Sequence, residues 1–246
     1  MNAAEEWASE PISKRLAFVL AEIEMPPPVQ LSSEVRFVSM LDPEYPTALF
    51  ALSQPPLGLF VRGELGNNRR IGVVGSRIPS PYSLRLAYRC TKLWAQRGWI
   101  VVSGGAIGID SEAHRAALDE NSSTWAVFGN GFEKPHPRRN QMMFESILEK
   151  GGAWISEYPP WFEPRAYYFP ERNRLIAALS DVLFIAQAHE RSGSLSTART
   201  ALDLGREIMV LRPPPGDASF AGSQILIDAG ARSLKGPEDL EVYLAG

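Results

Sequence analysis

Between Ile71 and Asp110 two short apolar runs each deliver a glycine-bearing loop. Ile71, Gly72, Val73 and Val74 lead into Gly75-Ser76-Arg77, and Ile100, Val101 and Val102 lead into Ser103-Gly104-Gly105. Apolar runs this short, bounded by turn residues, predict strands buried on both faces. A stretch with helical spacing follows each loop, so the segment predicts two consecutive strand–loop–helix units of an open parallel sheet. Such a sheet gathers a phosphate-bearing ligand at the carboxyl ends of its strands, where helix amino termini turn their N–H groups toward an anion.

The same unit recurs down the chain. Strands predicted at residues 125–128, 153–156, 182–186 and 207–211 alternate with helices at 140–149, 171–179 and a stretch closed by Gly205. Ser80-Pro81 predicts a cap and first turn, because serine accepts from orphan N–H groups and proline has none to lose. Asp110 is the predicted cap of a helix over 111–118. Upstream, strands near 36–41 and 59–63 enclose a short helix near 47–52. Ile12, Leu16, Val19, Leu20 and Ile23 recur at helical spacing, and Pro26-Pro27-Pro28 ends that helix in an extended linker. The predicted organisation is a short helix and linker over residues 1–30, then one doubly wound, mostly parallel α/β domain over 31–246.

Charge is distributed unevenly around a net value of −3. Residues 1–50 carry eight acidic and three basic side chains, whereas residues 62–97 carry eight basic ones against Glu64 alone. Arg85, Arg89 and Lys92 share one face of the first predicted helix; a stripe of this kind is ordinarily a solvated surface, and phosphate contact is the alternative. The amino terminus is acidic, and no apolar run approaches the roughly 18–20 residues that cross a bilayer, which predicts a cytoplasmic chain without membrane attachment. Cys90 is the single cysteine, and His114, His136 and His189 are far apart in sequence. Neither a disulfide, a metal site nor a bound cofactor is expected.

Three further stretches carry candidate chemistry. Gly129-Asn130-Gly131-Phe132 followed by Lys134 interleaves aromatic and basic groups. The segment 157–170 holds six aromatics without strand or helix periodicity, which predicts stacking platforms or a packed lid. Ser192-Gly193-Ser194 opens a helix and forms a hydroxyl-rich anion cradle. The chain lacks the Gly-Lys-Ser/Thr ending of a P-loop, so nucleoside triphosphate hydrolysis is not expected.

Gly75-Ser76-Arg77, Ser103-Gly104 through Gly108-Ile109-Asp110, Ala113-His114-Arg115, Ser156-Glu157-Tyr158-Pro159, Phe169-Pro170 with Arg172-Asn173-Arg174, and Ser192-Gly193-Ser194-Leu195 with Thr197-Ala198 occur in one order. In that order they resemble the bacterial DprA (Smf) DNA-processing family. The resemblance spans residues 37–231. It implies an extended Rossmann-like domain that binds single-stranded DNA, forms a homodimer and helps load the RecA recombinase during natural transformation. Gly105, Ile107 and Gln187 stand where that family commonly has leucine, arginine and glutamate. The usual amino-terminal helical domain is expected to be reduced to one helix, with no winged-helix domain at the carboxyl end.

The resemblance also implies roles. Arg77 corresponds to a phosphate-binding arginine, and an arginine at a strand's carboxyl end is expected in the ligand crevice on physical grounds too. Ser76, Ser103 and Gly104 are expected to donate to phosphates, with packing an equal alternative for Gly104; Lys134 is expected to bind one, and Phe132 to stack on a base. Arg172, Asn173 and Arg174 either read the strand or hold the adjacent loops, and Ser192, Gly193 and Ser194 face the same crevice. His114 is expected to be a structural hydrogen-bonder. The rival readings are a nucleotide-sensing module and a LOG-type phosphoribohydrolase acting on nucleoside monophosphates. Residues 192–198 lack the glutamate that such hydrolases carry in the corresponding turn. A Ser76–His114–Asp110 triad is disfavoured, because Asp110 and His114 lie one turn apart on one helix.

Overall fold

The computed structural model describes residues 32–245; the predicted helix over 12–23 and the proline linker lie outside the described residues. Nine strands are present: β1 (Val35–Ser39), β2 (Gly58–Gly63), β3 (Arg70–Val74), β4 (Ile100–Ser103), β5 (Thr124–Phe128), β6 (Ala153–Ser156), β7 (Val182–Ile185), β8 (Glu207–Leu211) and β9 (Arg232–Leu234). They form one sheet in the order β1-β2-β6-β5-β4-β3-β7-β8-β9. From β3 to β9 every pairing is parallel, and the β1–β2 hairpin attaches antiparallel to β6. The sheet is the predicted mostly parallel one.

Seven α-helices cover its two faces: α1 (Pro81–Gln96), α2 (Ile109–Asp119), α3 (Gln141–Glu149), α4 (Tyr168–Leu179), α5 (Gly193–Asp203), α6 (Ala221–Asp228) and α7 (Pro237–Ala245) among the described residues. Strand side chains alternate between faces, so neighbours in one strand enter different cores. Val73, Val101 and Phe184 pack with Leu86 and Trp94 of α1 and Ile109 and Ala113 of α2. Val74, Val102 and Leu183 pack with Leu175 of α4, Ala198 of α5 and Leu226 of α6. Double-sided burial is why the central strands read as unbroken apolar runs. No described helix is long and apolar enough to cross a membrane.

The start of α1 is the predicted one: the Ser80 side chain accepts from Ser83 N–H and Pro81 occupies the first turn. The start of α2 is not. Gly108 stands at the cap position with φ 93°, and Asp110 lies inside the first turn, where its carboxylate accepts from Ala106 N–H at 3.3 Å. A β-carbon on Gly108 would meet the Ser76 carbonyl oxygen at 2.4 Å, so glycine lets the second loop lie directly on the first. The basic stripe on α1 takes the surface reading for two of its members. Arg89 pairs with Glu238 at 3.1 Å and Lys92 with Glu120 at 2.6 Å. Helix α4 begins three residues before the predicted start, with Pro170 in its first turn, where a missing N–H is tolerated.

Candidate functional site

Strand order reverses beside β3. The chain steps outward from β3 to β4, β5 and β6, then returns to place β7 on the other side of β3. Loops leaving β3 and β7 therefore diverge, and a crevice opens at their carboxyl ends, the position where open α/β sheets hold ligands. It has a volume of about 490 Å³ and is lined by Gly75, Ser76 and Arg77 after β3, Asp110 from α2, Phe169 and Asn173 from α4, and His189 with Ser192–Ser194 after β7. An adjoining hollow of about 310 Å³ shares Arg77, Ile78, Ala106, Phe169 and Arg172, and adds Gly104, Ile107, His136 and Pro137.

Arg77 dominates the entrance. Its side chain is exposed, its guanidinium carbon lies 5.9 Å from the centre of the Phe169 ring, and it lines both spaces. Helix α5 begins at Gly193 with no side-chain cap hydrogen bond, and Ser192, Gly193 and Ser194 line the same crevice. Ser194 lines the same wall, 8% exposed and without a hydrogen-bond partner among the described residues. A guanidinium without a hydrogen-bond or ion-pair partner among the described residues, sharing a crevice with an uncapped helix amino terminus, suits an anion.

Two buried charges shape the floor. Arg172, 4% exposed, donates through Nη1 to the carbonyls of Gly104 (2.8 Å) and Val127. Burial lowers its pKa to about 10, against the pull of Asp110. Asp110 is pushed up to about 6 by burial, an effect that Arg172, the Ala106 N–H and Arg77 oppose. The floor thus carries one fixed cation and one carboxylate whose pKa burial raises. His136 is held below its ordinary value by burial and then by Arg77.

Other predicted residues are placed differently. Ser103 is fully buried and its hydroxyl donates to the Val73 carbonyl at 2.6 Å, so it offers nothing to a phosphate. Gly104 lines the adjoining hollow and is closely packed as well: a β-carbon there would meet the Arg172 guanidinium at 2.4–2.7 Å. Phe132, expected to stack on a base, is 6% exposed and packs edge-on against Phe128 and Trp154 at 5.7 and 5.8 Å. Its ring completes an apolar cluster and is closed to a ligand. Phe132→Ala is therefore expected to cost about 3–5 kcal/mol of stability in chemical denaturation. A melting curve that does not move would place the ring at the surface instead.

Lys134 is exposed and paired with Glu163, outside both spaces. Arg174 is turned to Glu157, which accepts from it through both oxygens at 2.7 Å. In the Arg172-Asn173-Arg174 run, only Arg172 and Asn173 line the crevice, and Arg172 also holds the β4 and β5 loops together. Ser76 lines the crevice, accepts from Ile78 N–H at 3.1 Å and lies 3.5 Å from His189 Nε2. His114 has the expected structural place: it is buried, hydrogen-bonded to Thr124 at 2.8 Å, and held down to about 3 by burial. Within the aromatic segment Tyr158 stacks on Phe162 at 5.2 Å and Tyr168 tilts against it at 4.5 Å, while Trp161 and Tyr167 are exposed and Phe169 lines the crevice. Gln187 bridges loops, accepting from Ser80 N–H at 2.9 Å and donating to Ser219 at 2.8 Å.

Sequence reasoning missed Phe169 and His189 as crevice residues and gave Asp110 only a capping role. His189 stands just past a parallel strand, the placement that singled out Arg77, and that signal was available. The burial that lifts Asp110 was not.

Residues 36–244 match the sequence model of the family described as DNA recombination-mediator protein A. Protein Smf of Escherichia coli is 44% identical over 198 residues, covering 80% of this chain; the chain spans about half of that relative, 53%. DNA processing protein A of Streptococcus pneumoniae superposes with a TM-score of 0.79 at 32% identity, over 85% of this chain and 74% of that one. DNA processing protein A of Helicobacter pylori, solved to describe its single-stranded DNA binding mode, gives 0.76 at 28% identity, over 87% and 98%. The chain belongs to the DNA recombination-mediator protein A family.

Proposed function

We propose that this chain binds single-stranded DNA in the crevice between the β3 and β7 loops, with little regard to base sequence. The observation that carries the reading is Arg77, exposed at the switch point and lining one crevice with the uncapped start of α5. A phosphodiester seated there meets a guanidinium on one side and backbone N–H groups with the Ser194 hydroxyl on the other. Ile78, Ile107, His136 and Phe169 make the adjoining hollow mostly apolar, a surface for a base, and take the stacking role first assigned to Phe132. Ser76, Asn173, Ser192 and Gly193 complete the polar wall. Membership of the family extends the proposal to a cytoplasmic homodimer that protects incoming strands and delivers them to the RecA recombinase, acting as a binding protein and not as an enzyme.

Fluorescence anisotropy of a labelled single strand across a salt series tests this. Affinity is expected to fall steeply with salt, with a log–log slope of about −0.7 per phosphate contact. Duplex DNA should compete poorly. A nucleotide-binding module is the second reading, favoured by a crevice volume of about 490 Å³, which also suits a mononucleotide. Displacement of the oligonucleotide by low concentrations of a nucleoside monophosphate would decide for it.

Asp110 adds a pH dependence. Above its value of about 6 the carboxylate is ionised beside the proposed phosphate seat; below it, the negative charge is gone. Binding at constant ionic strength is expected to tighten roughly 5-fold or more as pH falls through that value. Asp110→Asn should bind tightly at neutral pH already and lose the dependence. A variant that keeps the wild-type pH profile would assign it to another group.

A further inference from the structure

The stretch from Glu157 to Glu171 builds an aromatic surface beside the crevice. Its backbone is anchored on the β5 loop, where Gly131 N–H donates to the Phe162 carbonyl at 2.8 Å and Glu133 N–H to the Pro160 carbonyl at 2.9 Å. On that support four rings form a ladder. Phe162 lies 5.2 Å from both Tyr158 and Tyr168, Tyr158 lies 4.5 Å from Tyr168, and Tyr168 lies 4.2 Å from Tyr167. Phe162, Tyr158 and Tyr168 are half-buried, but Tyr167, at the end of the ladder, is 54% exposed. A ring held by its neighbour and open to solvent offers a π-face to any base, with little side-chain freedom left to lose.

Arg165 stands beside that ring. Tyr168 N–H closes a turn onto the Arg165 carbonyl at 3.1 Å, and the Arg165 guanidinium donates from Nη1 to the Tyr167 hydroxyl at 3.3 Å. The cation is exposed and has no ion-pair partner among the described residues. The three acids of the stretch are held by other groups: Glu157 pairs with Arg174, Glu163 with Lys134, and Glu171 accepts from the Tyr158 hydroxyl at 3.2 Å, two rings along from Tyr167. Ring and cation also adjoin the crevice, because Ala166, between them in the chain, and Phe169, just after them, line its wall. An aromatic face next to a cation is the pairing with which sequence-tolerant sites hold a single strand. We infer that a strand leaving the crevice past Ala166 and Phe169 stacks a base on Tyr167 and rests the adjoining phosphate on Arg165. This inference rests on the crevice binding single-stranded DNA; it adds a stacking platform outside the crevice wall and sets the side on which the strand leaves.

The test sets Tyr167→Ala, Tyr167→Phe and Arg165→Gln in the full chain against two labelled strands in a salt series, an oligothymidylate of roughly 20 nucleotides and a strand of equal length made of abasic sites. Tyr167→Ala should weaken binding of the oligothymidylate about 5- to 30-fold and leave the log–log salt slope at its wild-type value. On the abasic strand, which keeps every phosphate and has no base to stack, the same variant should change nothing. Tyr167→Phe should bind like the wild type, because the ring remains. Arg165→Gln should flatten the slope by about 0.7, the share of one phosphate contact, with both strands. Wild-type affinity of Tyr167→Ala for the oligothymidylate, an equal loss with both strands, a loss in Tyr167→Phe as large as with alanine, or an unchanged slope in Arg165→Gln each overturns the inference. Arg77→Ala separates the two readings: if it leaves the oligothymidylate bound at wild-type affinity, the crevice reading fails and the inference with it. If it weakens binding while the Tyr167 and Arg165 variants change nothing, only the platform is lost.

Discussion

Replacing Arg77 with alanine is expected to weaken binding of a single-stranded oligonucleotide by about 10- to 100-fold at low salt, the worth of one or two charge-assisted hydrogen bonds. The salt slope should flatten by about 0.7 for each phosphate released. Stability should hardly move, within about 0.5 kcal/mol, because the side chain is exposed and holds no other element in place. Arg77→Lys should recover part of the affinity: it restores a cation but not the planar fork or the contact with the Phe169 ring. Lys134→Ala offers the contrast. That lysine is paired with Glu163, so its loss should cost far less, and Glu163→Ala should release the cation and tighten binding slightly. If Lys134→Ala costs more than Arg77→Ala, the strand lies along the Gly129–Lys134 loop and not in the crevice.

What was legible in the sequence was what local chemistry decides. Unbroken apolar runs marked the central strands because both faces of each are buried, and Ser80-Pro81 marked the start of α1 because a cap is a contact three residues long. The crevice followed from topology: parallel strands with glycine-bearing loops leave their ligand at the carboxyl ends, and Arg77 stood at one of them. What was not legible depends on partners distant in sequence. Phe132 looked like a stacking platform until Phe128 and Trp154 closed around it. For Arg174 the sequence left strand contact and loop holding open, and the pair with Glu157 favours the second. Arg89 is paired with Glu238, 149 residues away, which no reading of the α1 surface could find. Asp110 shows the limit most clearly. Its neighbours in sequence made it a cap, whereas burial beside Arg172 makes it a titrating group on the crevice floor.

Arg172→Met is expected to rival Phe132→Ala in its effect on stability. Methionine roughly matches the stem but not the guanidinium, so the carbonyls of Gly104 and Val127 lose their donor. Asp110 also loses the nearby cation that favours its ionised form. Breaking a buried charge pair from one side costs about 3–5 kcal/mol. The loss should depend on pH, with a sign that follows from Asp110. Its folded value of about 6 lies above the ordinary 3.8, so the folded protein holds a proton that the unfolded chain has released. This group's contribution to stability is full below the unfolded value and is lost as pH rises through the folded one. Without Arg172 the folded value climbs further, and the loss continues to higher pH. Urea denaturation should therefore show the deficit of Arg172→Met widest near pH 8 and narrower near pH 5, where Asp110 is largely protonated in both proteins. Arg172→Lys, which keeps the charge but not the two-carbonyl clamp, should recover the pH profile without recovering all of the stability. Equal deficits at every pH would mean that Arg172 supports the fold through its carbonyl contacts alone, and that Asp110 on the crevice floor is stabilised by something else.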